Sequence, residues 1–79
     1  MTITVRNREL GTLTVHNVTY VPISGETLIA FRSEAGELTA TLHEDGNLTV
    51  FDPLYPNLLW RHEAFRPLIE EALGLWRTA

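Results

Sequence analysis

The chain has no cysteine, no lysine and no long apolar run. Without cysteine there can be no disulfide framework and no thiolate-bound metal. Without a stretch of about 20 apolar residues there is no candidate membrane-spanning helix. The opening Met-Thr-Ile-Thr-Val-Arg has none of the apolar core of a secretory leader. A cytoplasmic protein that does not enter a membrane is therefore expected. The absence of lysine makes all six basic residues arginine. Arginine suits bidentate and stacked contacts, although GC-rich codon usage explains the bias as simply.

Positive charge is also scarce. Residues 1–52 carry seven acids against Arg6, Arg8 and Arg32, and this difference is the whole net charge of −4; residues 53–79 balance three acids with three arginines. A nucleic-acid-binding surface normally shows a basic stripe, and none is present. The acids are too sparse to imitate a nucleic acid.

Groups that carry covalent chemistry are few. The only serines are Ser24 and Ser33, both in or next to turns, and neither has a histidine nearby in sequence. A nucleophile needs an adjacent, oriented base. His16, His43 and His62 are scattered, and no glycine-rich phosphate loop occurs. The expectation is a non-enzymatic protein with no cofactor and no metal.

What the chain does have is a pattern. At 79 residues with 44% hydrophobic content, it has the composition of one small folded domain. Residues 28–52, LIAFRSEAGELTATLHEDGNLTVFD, read as three antiparallel strands joined by two glycine-containing turns. Three-residue loops, Glu34-Ala35-Gly36 and Glu44-Asp45-Gly46, put glycine where a left-handed residue is required. That choice sets Ala30 opposite Ala40, Leu28 opposite Leu42 and Phe31 opposite Thr39. Across the second turn it sets Ala40 opposite Val50, Leu42 opposite Leu48 and Thr39 opposite Phe51. Leu28, Ala30, Leu38, Ala40, Leu42, Leu48 and Val50 then share one face. Ile29, Phe31, Thr39, Thr41, Thr49 and Phe51 share the other.

Upstream, residues 2–6 and 12–21 read as strands. The apolar phase changes from Leu13 and Val15 to Val18 and Tyr20, as a β-bulge near His16-Asn17 would cause. Pro22-Ile23-Ser24-Gly25 is a loop. Strands at about 26–33, 37–43 and 47–52 follow, and Asp52–Asn57 reads as a loop. From His62 the spacing turns helical, with Phe65, Leu68, Ile69, Ala72 and Trp76 on one stripe. The helix is placed at 62–76, with Gly74 a candidate early stop. Its bulky side chains would meet a floor of Ala30, Ala40 and Val50. The fold expected is α+β: an antiparallel meander of four or five strands with one C-terminal helix packed across one face.

Three surfaces are candidates. The face opposite the helix, carrying Ile29, Phe31, Thr39, Thr41, Thr49 and Phe51, reads either as a contact surface for a protein partner or second copy, or as a face covered by the N-terminal strands. Its aromatic rings also fit base stacking, but the positive charge that stacking sites use is thin there. Glu26, His43, Glu44 and Asp45 gather at one end of the sheet, as metal ligands do, but ordinary turn chemistry explains them as well. Tyr55 and Trp60, in or beside the loop before the helix, are aromatic residues of the kind enriched at interface hot spots. The function expected is protein binding by a small module, of the type of a phage or mobile-element inhibitor of a larger host complex. A self-associating subunit, forming a homodimer through the sheet face or an edge strand, is the alternative. A nucleic-acid-binding accessory protein comes third.

Overall fold

The computed structural model describes residues 1–34, 36–52 and 62–79. Five strands are followed by one helix: β1 (Ile3–Asn7), β2 (Gly11–Val21), β3 (Glu26–Ser33), β4 (Gly36–Leu42), β5 (Leu48–Phe51) and α1 (His62–Thr78). The strands form one antiparallel sheet in chain order, β1-β2-β3-β4-β5. The expected α+β meander with a C-terminal helix is the observed architecture. The molecule extends 31 × 30 × 18 Å, and the short dimension corresponds to one helix laid on one sheet.

Glycine closes the turns. Asn7 pairs with Gly11, which has φ +75°, and the Asn7 side-chain oxygen accepts the Leu10 N–H at 2.6 Å. Between β4 and β5, Gly46 sits at φ +90°, its N–H bonding His43 O at 2.9 Å, while the His43 N–H bonds Asn47 O at 2.8 Å. This is the expected three-residue loop, and Ala40↔Val50, Leu42↔Leu48 and Thr39↔Phe51 pair as expected. The β2 register shifts between Val15 and Asn17, so the bulge falls where the apolar phase changes.

The first central hairpin differs from expectation by one residue. Ser33 pairs with Gly36, Phe31 with Leu38 and Ile29 with Ala40. A one-residue slip exchanges the two faces of β3. Ile29 and Phe31 are therefore inside, at 1% and 0% exposure, whereas Leu28 is 42% exposed and Ala30 faces outward. The physical reason is burial. An aromatic ring in place of a methyl group is worth about 2–3 kcal/mol of hydrophobic transfer, more than the glycine turn preference of about 1 kcal/mol. β2 reinforces the choice by placing Val15 beside Phe31 and Val18 beside Ile29.

The core is the sheet's inner face plus one stripe of α1. Val5, Leu13, Val15, Ile29, Phe31, Leu38, Ala40, Leu48 and Val50 meet Phe65, Leu68, Ile69, Ala72 and Leu73. Trp76 packs half-buried at its margin. The Phe31 and Phe65 rings lie 5.6 Å apart, tilted by 56°. The helix backbone comes closest to the two edge strands, β1 and β5, so α1 lies across the sheet. Arg66 ties its first turns to the β4–β5 turn, donating from Nη1 to Gly46 O at 2.9 Å. Glu63 in the first turn and Arg77 in the last suit the helix dipole. Gly74 does not end the helix, and Leu75 is helical and exposed rather than folded back. Pro67 sits on the exposed side of the helix.

Candidate functional site

The outward face of the sheet is the candidate site. β4 and β5 put Thr39, Thr41, Thr49 and Phe51 on it, as expected; Phe51 is 47% exposed. Ile29 and Phe31 do not belong to it. They are corrected to core residues, because the β3 slip turns them under the helix. Leu28 and Ala30 take their places. Tyr55 and Trp60 lie outside the described residues. Two cross-strand rows result, Asn17-Ala30-Thr39-Phe51 and Thr19-Leu28-Thr41-Thr49. They border a groove of about 340 Å³ whose floor is the β3 and β4 backbone. The N-terminal strands do not fold over this face; they extend the same sheet sideways. Threonine dominates the face because a β-branched side chain suits a pleated surface while its hydroxyl meets water. Thr4 and Thr14 continue the pattern, with their hydroxyl oxygens 3.0 Å apart.

Each end of the face carries a histidine–glutamate pair. At one end, Arg32 Nε donates to Glu37 Oε1 at 2.6 Å and His16 Nε2 lies 3.1 Å from Glu37 Oε2. Hydrogen bonds from Arg32 and then His16 hold the Glu37 carboxyl below its ordinary value of 4.5. Arg32 is thereby engaged by an acid. With Phe31 buried, the Phe31–Phe51 ring pair expected on this face is not formed.

At the other end, His43 Nδ1 lies 2.9 Å from Glu26 Oε2, and His43 Nε2 lies 2.8 Å from Thr49 Oγ1. The order hydroxyl, imidazole, carboxylate is that of an activated nucleophile. Acyl transfer also needs N–H donors for the developing oxyanion. The neighbouring turn has spent those of His43, Gly46 and Asn47, on Asn47 O, His43 O and Asp45 Oδ1 respectively. The relay links the β4–β5 turn and β5 to β3. Glu26, His43, Glu44 and Asp45 do line one open hollow of about 530 Å³, together with Ser24. Yet among the described residues no three His, Asp or Glu side chains converge as a metal site would require.

Sequence reasoning missed Leu28 as a surface residue for the same reason that it misplaced Phe31. The His43–Thr49 contact was legible, since the Leu42↔Leu48 register puts His43 and Thr49 beside the same turn. Among the described residues, no helix is long and apolar enough to cross a membrane. Comparison of the chain with protein-family models, with curated proteins and with solved structures finds no match.

Proposed function

We propose that the chain is a non-enzymatic protein-binding module that acts by occupying the surface of a larger partner, as an inhibitor or antagonist does. A compact antagonist of a host complex, of the kind carried by phages or mobile elements, is the class in view. The observation that carries the reading is the outward sheet face. Leu28 and Phe51 stand 42% and 47% exposed among Thr39, Thr41 and Thr49, on a face with no covering element among the described residues. Apolar groups framed by hydroxyls on a rigid sheet offer contact area at little ordering cost. The test is Leu28→Glu combined with Phe51→Glu. The double variant is expected to fold normally and to lose its partner in affinity capture. Retention of the partner by the folded variant sinks the proposal.

A second reading, self-association, is favoured by the sheet edges. β1 and β5 end the strand order with no further neighbour among the described residues, and a free edge can pair with a second copy. Light scattering that reports a monomer at millimolar concentration disposes of it.

A further inference from the structure

The β2–β3 hairpin runs past the helix-covered core and ends in Pro22-Ile23-Ser24-Gly25. Ile23, at its tip, is 100% exposed. Tyr20, 61% exposed, stands near the same end of the hairpin, paired with Thr27. Exposed apolar residues scattered singly need no explanation, but a fully exposed isoleucine at the apex of a projecting hairpin is placed to make first contact.

The tip is also held in place. The Gly25 N–H bonds Val21 O at 2.8 Å, and the Ser24 hydroxyl accepts the Glu26 N–H at 3.4 Å. Gly25 sits at φ +71°, and the Glu44 side chain lies where a Cβ would project, 2.9 Å from that position. The β4–β5 turn therefore leans on the hairpin and brings its acids with it. Glu26, Glu44 and Asp45 share one hollow beneath the tip with His43, and His43 is engaged by Glu26. Arg66 reaches the same turn at Gly46, but its charge is matched by Glu63 and Glu70. The result is a preorganised apolar point with an acidic collar.

We infer that this tip is a docking wedge, in which Ile23 enters an apolar pocket on a protein partner whose rim is lined with arginine or lysine. Charge complementarity sets the partner's chemistry. The collar would be repelled by an anionic membrane and by nucleic acid, and attracted by a basic protein rim. A rigid apolar anchor in a pocket, ringed by charges that steer the encounter, is the arrangement that concentrates binding energy in few residues. The inference rests on the protein-binding reading above; it concerns the hairpin tip at one end of that face, and position 51 tests the face separately.

The test places the photo-cross-linking residue p-benzoylphenylalanine at position 23, at position 51, or at Glu71 on the exposed side of the helix, in cells of the source organism. The expected result is a discrete protein adduct from position 23 and none from position 71. Adduct yield falls about tenfold or more in Glu44→Arg with Asp45→Arg, and falls with added salt. The purified adduct partner then binds Ile23→Asp about thirtyfold more weakly than the parent chain. Circular dichroism confirms that each variant folds. An adduct from position 51 without one from 23 overturns the wedge and leaves the sheet-face reading intact. Silence at both positions overturns both. An adduct from 23 unaffected by charge reversal overturns the basic rim. Flotation of the protein with phosphatidylcholine–phosphatidylglycerol vesicles, abolished by Ile23→Asp, overturns the protein partner in favour of a membrane.

Discussion

Phe31 is the largest fully buried side chain among the described residues. It is fully buried between Val15 and Leu38 on neighbouring strands and lies against Phe65 of the helix. Truncation to alanine leaves a cavity that the surrounding strands cannot close, at a cost of about 3–5 kcal/mol. A domain of this size has a total stability on the order of 5 kcal/mol. Phe31→Ala is therefore expected to be largely unfolded at 37 °C by circular dichroism, and Phe31→Glu unfolded at any temperature. Phe51→Glu, two strands away on the outer face, is expected to keep the parent melting temperature within a few degrees. Glu37 supplies the residue-scale pH dependence. Its carboxyl is held below 4.5 by Arg32 and then His16 in the folded chain. The stabilisation is present above that pH and is lost as the pH falls through the lowered value. Glu37→Gln is expected to lower the melting temperature slightly at pH 7 and to converge on the parent in acid, so that the acid limb of its profile is flatter. An unchanged acid limb would show that the exposed pair contributes nothing.

At the scale of elements, the helix and the β4–β5 turn were the legible parts. Phe65, Leu68, Ile69 and Ala72 announce their stripe by spacing, and they are buried as that spacing requires. Leu73, one residue beyond Ala72 and four beyond Ile69, joins the buried stripe and widens it. The β4–β5 turn was legible because its loop register and its apolar alternation agree. β3 was not, because Leu28-Ile29-Ala30-Phe31 is apolar at every position and alternation cannot choose a face. Burial of the larger side chains decides it, together with Val15 and Val18 on β2, whose register depends on the bulge. The outer site was thus half legible: Thr39, Thr41, Thr49 and Phe51 from β4 and β5, but not Leu28 from β3. The helix also offers a clean measurement. Gly74 is exposed within α1, and an added Cβ meets nothing within 4 Å. Gly74→Ala is expected to raise stability by about 0.5–1 kcal/mol, read as a higher urea midpoint with an unchanged slope. Gly46→Ala, at φ +90° in the β4–β5 turn, is expected to lower it by about 1–2 kcal/mol.

The molecule is a two-layer plate with one side shielded by α1 and no element covering the other among the described residues. Its charges follow that division only partly. Arg66 is gathered with Glu63 and Glu70 on the helix, and Arg32 with Glu37 on the sheet. The acids left near the β2–β3 tip, Glu26, Glu44 and Asp45, give that end its negative sign. Apolar exposure is concentrated on the same hairpin and at Phe51. Any partner approaching the plate from its open side meets hydroxyls and two apolar side chains, and at one corner a projecting isoleucine over carboxylates.

The bulge in β2 lets one strand serve the core on both sides of an irregularity. Val15 and Val18 both point inward although three positions separate them, because His16 is the supernumerary residue between two otherwise regular ladders. A gene lacking that one codon would still encode an uninterrupted strand, with Val15 beside Phe31 and Val18 beside Ile29. Losing Thr39 instead would turn either Leu38 or Ala40 into water. The form lacking His16 is expected to melt near the parent and the Thr39 deletion not to fold, as read by circular dichroism.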